Sequence, residues 1–305
     1  MMSESTPART VRGIWLALIT VVAWSVLPIT LRIASRHLDP YTLTWYRFAV
    51  SAVVLGGMLM VKRRLPARRA VLVRRCVALL LAATLGLVAN YVLYLVSLSY
   101  VSPTAGTVIT QLAPLLLMLG GVWLFHEHLS RKQIIGVALI VVGLLLFFNV
   151  RVREFADLSG KEGVGAVILL SASVVWAVYG LSQKALVAHL ESTQILLIIY
   201  VGAAVVLLPF VAPASVSRLG GLELTMLALS AANTLVAYGA LAEALEAAGA
   251  ATVGAVLAVG PVATLIVTWV SNHVSPGFFE PDLLNAATVV GACVVTAGSA
   301  LSARA

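Results

Sequence analysis

The chain has 305 residues, 61% of them apolar and only 10% charged, where an ordinary soluble domain carries about 25% charged residues. This excludes a water-soluble globule: at roughly 20 residues per lipid-spanning helix, ten spans with short connectors use nearly the whole length and leave no room for a sizeable soluble domain. The net charge of +8 would suggest nucleic acid in a soluble protein, but here the Lys and Arg residues cluster between apolar runs, where they act as topological signals.

The N-terminus, Met1 to Arg12, is polar and precedes an apolar stretch from Gly13 to Leu31. That stretch is too long for the core of a signal peptide and further spans follow, so it is read as a retained first helix. Runs of about 18 or more apolar residues predict spans 1 to 5 at 13–34, 42–61, 75–98, 103–125 and 132–149. Spans 6 to 10 follow at 163–186, 192–211, 220–246, 250–271 and 283–302. Ser102 before Pro103 is an N-cap with proline at the first helical position, and Ser130 with Gln133 has capping-box spacing. Cys76 and Cys293 are too few and too distant for a disulfide framework or a metal site and are read as packing residues.

Cytoplasmic loops retain an excess of Lys and Arg. With the N-terminus inside, 13 basic residues fall inside, seven of them between Lys62 and Arg75, against six outside, with Arg47 within span 2. Both termini are therefore expected in the cytoplasm.

The halves of the chain match one another in order. Trp24 pairs with Trp176 at an offset of 152; Tyr91, Leu98 and Pro114 pair with Tyr238, Leu245 and Pro261 at 147; Gly136 and Gly143 pair with Gly291 and Gly298 at 155. The offset shifts where connectors differ in length, as loop insertions produce. Two copies with an odd number of spans each must lie in the membrane in opposite orientations, an arrangement suited to alternating access. The expected architecture is all-α, with ten transmembrane helices in two inverted five-helix repeats. A cytoplasmic tail at 1–12 precedes repeats at 13–149 and 163–302, and an extracytoplasmic connector at 150–162 joins them.

The stretch Y-V-S-P-T-A-G-T-V-I-T-Q-L-A-P-L-L-L-M-L-G-G-V-W-L-F-H-E-H-L from Tyr100 to Leu129, and the glycine-spaced I-I-G-V-A-L-I-V-V-G after it, resemble the EamA domain of the drug/metabolite transporter superfamily. W-S-V-L-P-I in span 1, W-Y-R-F in span 2 and V-W-A-V-Y-G in span 6 carry the same resemblance, which covers the whole chain as two EamA copies. It implies export of amino acids, metabolites or drugs through a cavity lined mainly by spans 1, 3, 4, 6, 8 and 9. The chain departs from the family pattern in copy two, where Val274 stands at the place of Glu127, so the two gates are not expected to be equivalent.

Polar side chains within spans are costly and are functional candidates by default. Asn90 and Tyr94 share a face of span 3, and Thr104, Thr107 and Gln111 share one of span 4. Each set can line a pathway or join helices by hydrogen bonds. Pro114 removes a backbone donor near Gln111. Trp176, Tyr179 and Gln183 repeat the arrangement in span 6, with Trp24 as the matching aromatic of span 1 and Tyr238 in span 8. Such aromatics can hold an apolar or cationic body by stacking and cation-π attraction, or can pack against lipid.

Glu243 and Glu246 lie three apart near the end of span 8, where mutual repulsion favours proton uptake, while Glu246 can also snorkel to the interface. Arg47 and Lys184 are the opposing cations, and the four are candidate coupling or gating residues. His126, Glu127 and His128 resemble a metal cluster in composition, but histidines two apart on a helix diverge, so they are read as a loop end.

The expected function is a secondary transporter exporting small organic solutes such as amino acids across the inner membrane. The alternative is a proton-coupled exporter of cationic or aromatic drugs. An integral membrane enzyme would need a nucleophile or general-base cluster, which the sequence does not offer; the inverted repeat and the aromatic cavity candidates argue against a channel, and no nucleotide-binding G-x-x-x-x-G-K-[ST] run occurs. Expected partners are a small-molecule substrate, membrane lipid and candidate coupling protons, without nucleic acid or cofactor, in a monomer or homodimer.

Overall fold

The computed structural model of the protein describes residues 7–67, 71–126, 130–147, 149, 157, 159–257, 259–279 and 285–303, and their regular structure is helical. The helices of the first half are α1 (Pro7–Ala34), α2 (Pro40–Val61), α3 (Arg74–Ser97), α4 (Pro103–Ile109), α5 (Leu112–Phe125) and α6 (Arg131–Phe147). Those of the second half are α7 (Lys161–Leu186), α8 (Ser192–Leu207), α9 (Gly221–Leu257), α10 (Gly260–Val274) and α11 (Ala286–Ala303). Short 3-10 turns at Leu208–Phe210 and Pro213–Arg218 lie between α8 and α9.

Local chemistry sets the helix starts. The Asp39 carboxylate accepts from the amides of Tyr41 and Thr42, each at 3.0 Å, with Pro40 supplying a preset first turn to α2. Ser102 accepts from the Ala105 amide at 3.2 Å to start α4. Ser130 and Gln133 close a reciprocal capping box, with bonds of 2.8 and 3.2 Å, before α6. Glu191 and Gln194 make the same box before α8.

The structure differs from the hydropathy scan in three places. Span 4 is broken at Thr110 and Gln111. Pro114 has no N–H for the Thr110 carbonyl, which instead accepts from the Ala113 amide at 2.9 Å, three residues on, so one tight turn interrupts the α-helix. The same break recurs between α9 and α10, where Pro261 leaves the Leu257 carbonyl without its donor and Val259 bonds back three residues to Val256 at 3.1 Å. Third, the connector expected at 247–249 is helical, and α9 runs unbroken for 37 residues. In copy one Ser102 and Pro103 stop and restart the chain; at the same offset copy two has Gly249 and Ala250 in an alanine-rich stretch, with neither a side-chain cap nor a proline.

Among the described residues, six helices are long and apolar enough to cross a membrane: Arg9–Ala34, Pro40–Val61, Arg74–Ser97, Lys161–Leu186, Ser192–Phe210 and Gly221–Leu241. Their outward faces are apolar, as with Val53, Leu81 and Val205, which suits lipid rather than water.

The chain divides into two compact units, one of residues 1–28, 97–170 and 236–305, the other of 29–96 and 171–235. In the first, α6 and α11 cross antiparallel at glycines. A Cβ on Gly143 would stand 2.9 Å from the Gly291 carbonyl oxygen, and one on Gly298 would stand 2.6 Å from that of Gly136, so the backbones touch where no side chain intervenes. α4 and α10 are also antiparallel, joined through Thr104 to Thr268 at 3.1 Å and Thr107 to Thr264 at 3.4 Å.

In the second unit, α2 packs antiparallel on α8. The Trp45 indole donates to the Ala204 carbonyl at 3.0 Å, and further along the helix Gly56 faces Leu197. Phe48 and Tyr200 are both buried at this contact, their ring centroids 5.8 Å apart.

Candidate functional site

The expected site residues divide between the two units. In the first, the Trp24 ring meets the Tyr238 ring edge to face, with centroids 5.8 Å apart and both residues half-buried. One turn earlier in α1, the Thr20 hydroxyl donates to the Ala237 carbonyl at 3.2 Å. Thr107 is half-buried and donates to the Pro103 carbonyl at 2.9 Å as well as reaching Thr264. Gln111 stands in the break before α5, nearly buried, and accepts from the Ser299 hydroxyl at 3.5 Å, a long contact. The break thus holds an amide side chain beside loosened backbone, the arrangement in which half-helices expose polar groups at depth.

Glu243 points out of the unit and pairs with Arg12 at 2.8 Å. In the sequence Arg12 is one of the basic residues of the inside set, and nothing within a span's length of it points to Glu243. The side chain of Glu246 lies outside the described residues, as do Glu127 and His128 of the H-E-H run. His126 ends α5 in a left-handed conformation, with φ 54°. Among the described residues no group of three or more His, Cys, Asp or Glu side chains comes together.

In the second unit, the Asn90 amide donates to the Ala172 carbonyl of α7 at 3.0 Å. α3 and α7 approach closely here, because a Cβ on Gly86 would stand 2.7 Å from the Val175 carbonyl oxygen. Trp176 and Tyr179 are neighbours on α7 with centroids 6.3 Å apart, Tyr179 being buried. Tyr94 and Gln183 are half-buried and Lys184 is exposed.

Arg47 is 3% exposed. Its guanidinium carbon lies 4.5 Å above the Tyr91 ring centroid, and its Nε donates to the Thr234 hydroxyl at 3.2 Å. In the sequence Tyr91 is only a repeat marker, and Thr234, Thr44, Ser51 and Tyr200 carry no signal of their own. The W-Y-R-F run held the signal for this cluster, an arginine between aromatics about two turns into a span.

The two units repeat one contact. Moving Thr20 by 152 residues gives Ala172, and moving Asn90 by 147 gives Ala237. The bond from Thr20 to Ala237 and that from Asn90 to Ala172 therefore join corresponding positions, with donor and acceptor exchanged.

The model of the EamA-like transporter family matches residues 11–149 and again 163–302. The chain belongs to the EamA-like transporter family. An EamA relative in Escherichia coli, named as an uncharacterized inner membrane transporter, is 37% identical over 291 residues, covering 95% of this chain and 91% of its own. An uncharacterized transporter of Haemophilus influenzae is 34% identical, covering 95% and 94%. A probable amino-acid metabolite efflux pump of Salmonella typhimurium is 25% identical over 201 residues, covering 64% and 61%. A solved crystal structure shares the fold, with a TM-score of 0.65 at 18% identity over 97% of this chain and 96% of its own. EamA membership makes the chain a membrane transporter, with a small-molecule substrate and a lipid environment.

Proposed function

We propose that the chain exports small organic solutes, amino acids or related metabolites, across the inner membrane by alternating access. In this reading ten spans form two inverted repeats at 13–149 and 163–302, both termini are cytoplasmic, and the connector at 150–162 is extracytoplasmic. The observation that carries it is the antiparallel packing of corresponding helices: α2 on α8, α4 on α10 and α6 on α11. Corresponding elements that run in opposite directions are what a twofold axis in the membrane plane requires, and two such halves can exchange conformations around a central site. The exchanged bonds Thr20 to Ala237 and Asn90 to Ala172 support the same symmetry.

The substrate class rests on the Salmonella relative's name and on the polar and aromatic side chains within the spans. Trp24 with Tyr238, and Trp176 with Tyr179, offer ring faces and edges to a solute body; Gln111, Thr107, Gln183 and Tyr94 offer hydrogen bonds. Asn90 is engaged with backbone and holds α3 to α7 beside that pathway. Arg12 with Glu243 is a gating pair, and Lys184, near the end of α7, and Glu246, within α9, are further coupling or gating candidates.

The test is efflux from proteoliposomes loaded in turn with labelled amino acids, polyamines and aromatic cations. Saturable efflux of amino acids with counterflow is expected. Efflux of cations alone, dependent on an imposed pH gradient, would replace this reading with that of a drug exporter.

A further inference from the structure

Thr44, Arg47 and Ser51 fall at i, i+3 and i+7 of α2, so they share one face, and that face is buried, with exposures of 0%, 3% and 0%. The hydroxyls of Thr44 and Ser51, and that of Tyr200 on the facing α8, are buried without a hydrogen-bond partner among the described residues. A buried unsatisfied hydroxyl destabilises a fold, and three of them around a buried cation are not what packing alone selects.

The second copy shows that the fold does not need them. The caps Asp39 of α2 and Glu191 of α8 differ by 152 residues, and at that offset the polar face becomes Leu196, Ile199 and Ala203, all buried. Hydrocarbon fills the equivalent place. The acidic residues of this unit, Asp39, Glu191 and Glu223, stand at helix starts. Tyr91 supports the guanidinium plane and Thr234 receives its Nε, while Thr234 donates onward to the Ser230 carbonyl at 3.2 Å. Both contacts fix the orientation of the terminal nitrogen fork, the edge that engages a planar carboxylate in two parallel bonds.

We propose that the Thr44–Arg47–Ser51 face binds the carboxylate of the transported solute, with Arg47 as the cation and the hydroxyls of Thr44, Ser51 and Tyr200 as further donors. This rests on the exporter reading above and narrows its substrates to carboxylate-bearing solutes. The face is closed in this conformation and loads when α2 parts from its neighbours.

The experiment pairs leucine, phenylalanine and glutamate with their α-carboxamides, and reads both efflux from proteoliposomes and thermal stabilisation of the purified full chain. Acids are expected to leave at least tenfold faster than amides and to raise Tm where amides do not. Arg47→Gln should bring acid and amide within twofold of each other, and Arg47→Lys should keep part of the preference. Should Arg47→Gln fail to fold, Thr44→Val with Ser51→Ala decides. That pair removes only unpartnered hydroxyls, so Tm should hold or rise while the acid preference falls several-fold. Efflux without acid preference, or a preference unchanged in these variants, overturns the carboxylate site and leaves the exporter reading standing. Acid-specific stabilisation lost in these variants, without any efflux, supports the site and overturns the exporter reading; neither signal overturns both.

Discussion

Arg12 Nη2 lies 2.8 Å from Glu243 Oε2, an ion pair that ties the start of α1 to α9 within one unit. The side chains are 71% and 58% exposed, so the pair contributes about 0–1 kcal/mol to stability. In the proposed transport cycle it holds two helices together in one conformation and releases them in another.

Accordingly, Arg12→Glu and Glu243→Arg should each slow efflux several-fold at unchanged Tm, and the double swap should restore the rate to within about twofold. An unrestored double variant removes the gate. An imposed pH gradient should affect the wild type and Glu243→Gln alike; loss of gradient-driven transport in the variant alone would make Glu243 a proton carrier instead.

Gln111→Ala and Trp176→Ala should lower efflux tenfold or more while yield and Tm stay near wild type, since among the described residues neither carries a short side-chain bond to another helix. Asn90→Ala is expected to behave differently. Its amide spans from α3 to the Ala172 carbonyl, so stability should fall by about 0.6–1.7 kcal/mol together with transport. Unfolding of the purified protein in a denaturing detergent series measures the difference, and an unchanged midpoint for Asn90→Ala would return that residue to direct substrate contact.

Gly143→Leu should cut folded yield severely, because its Cβ would stand 2.6 Å from the Val295 amide nitrogen and the two backbones cannot part without losing the crossing. Gly57→Ala, which meets nothing within 4 Å, should be silent or slightly stabilising. Size-exclusion yield and Tm check both, and equal losses would mean that the crossing does not determine stability.

Topology is testable with single cysteines in a background without Cys76 and Cys293. Ser217→Cys should react with an impermeant thiol reagent on intact cells, and Arg64→Cys only after permeabilisation; both positions are exposed. Opposite labelling would reverse the orientation drawn from the asymmetry of basic residues.

The sequence by itself determined that the chain is helical and lipid-facing, and it located the starts of α4 and α6 through Ser102 and Ser130. Hydropathy and capping are local: each depends on residues within a turn or a single span. The order of matching residues also marked glycines that meet at the crossing of α6 and α11, such as Gly136 and Gly298. Tertiary structure alone decided the partners: that Asn90 engages a carbonyl, that Glu243 meets Arg12 from 231 residues away, and that Arg47 lies against Tyr91 and Thr234. In a helix that is apolar all round, no hydrophobic face tells which side meets another helix and which meets lipid. The crossing of helices chooses the facing side, and only then does a buried arginine or an unpartnered hydroxyl acquire its neighbours. The unbroken α9 has a local cause, since the sequence at Gly249 and Ala250 lacks the capping serine and proline that stop and restart the chain in copy one.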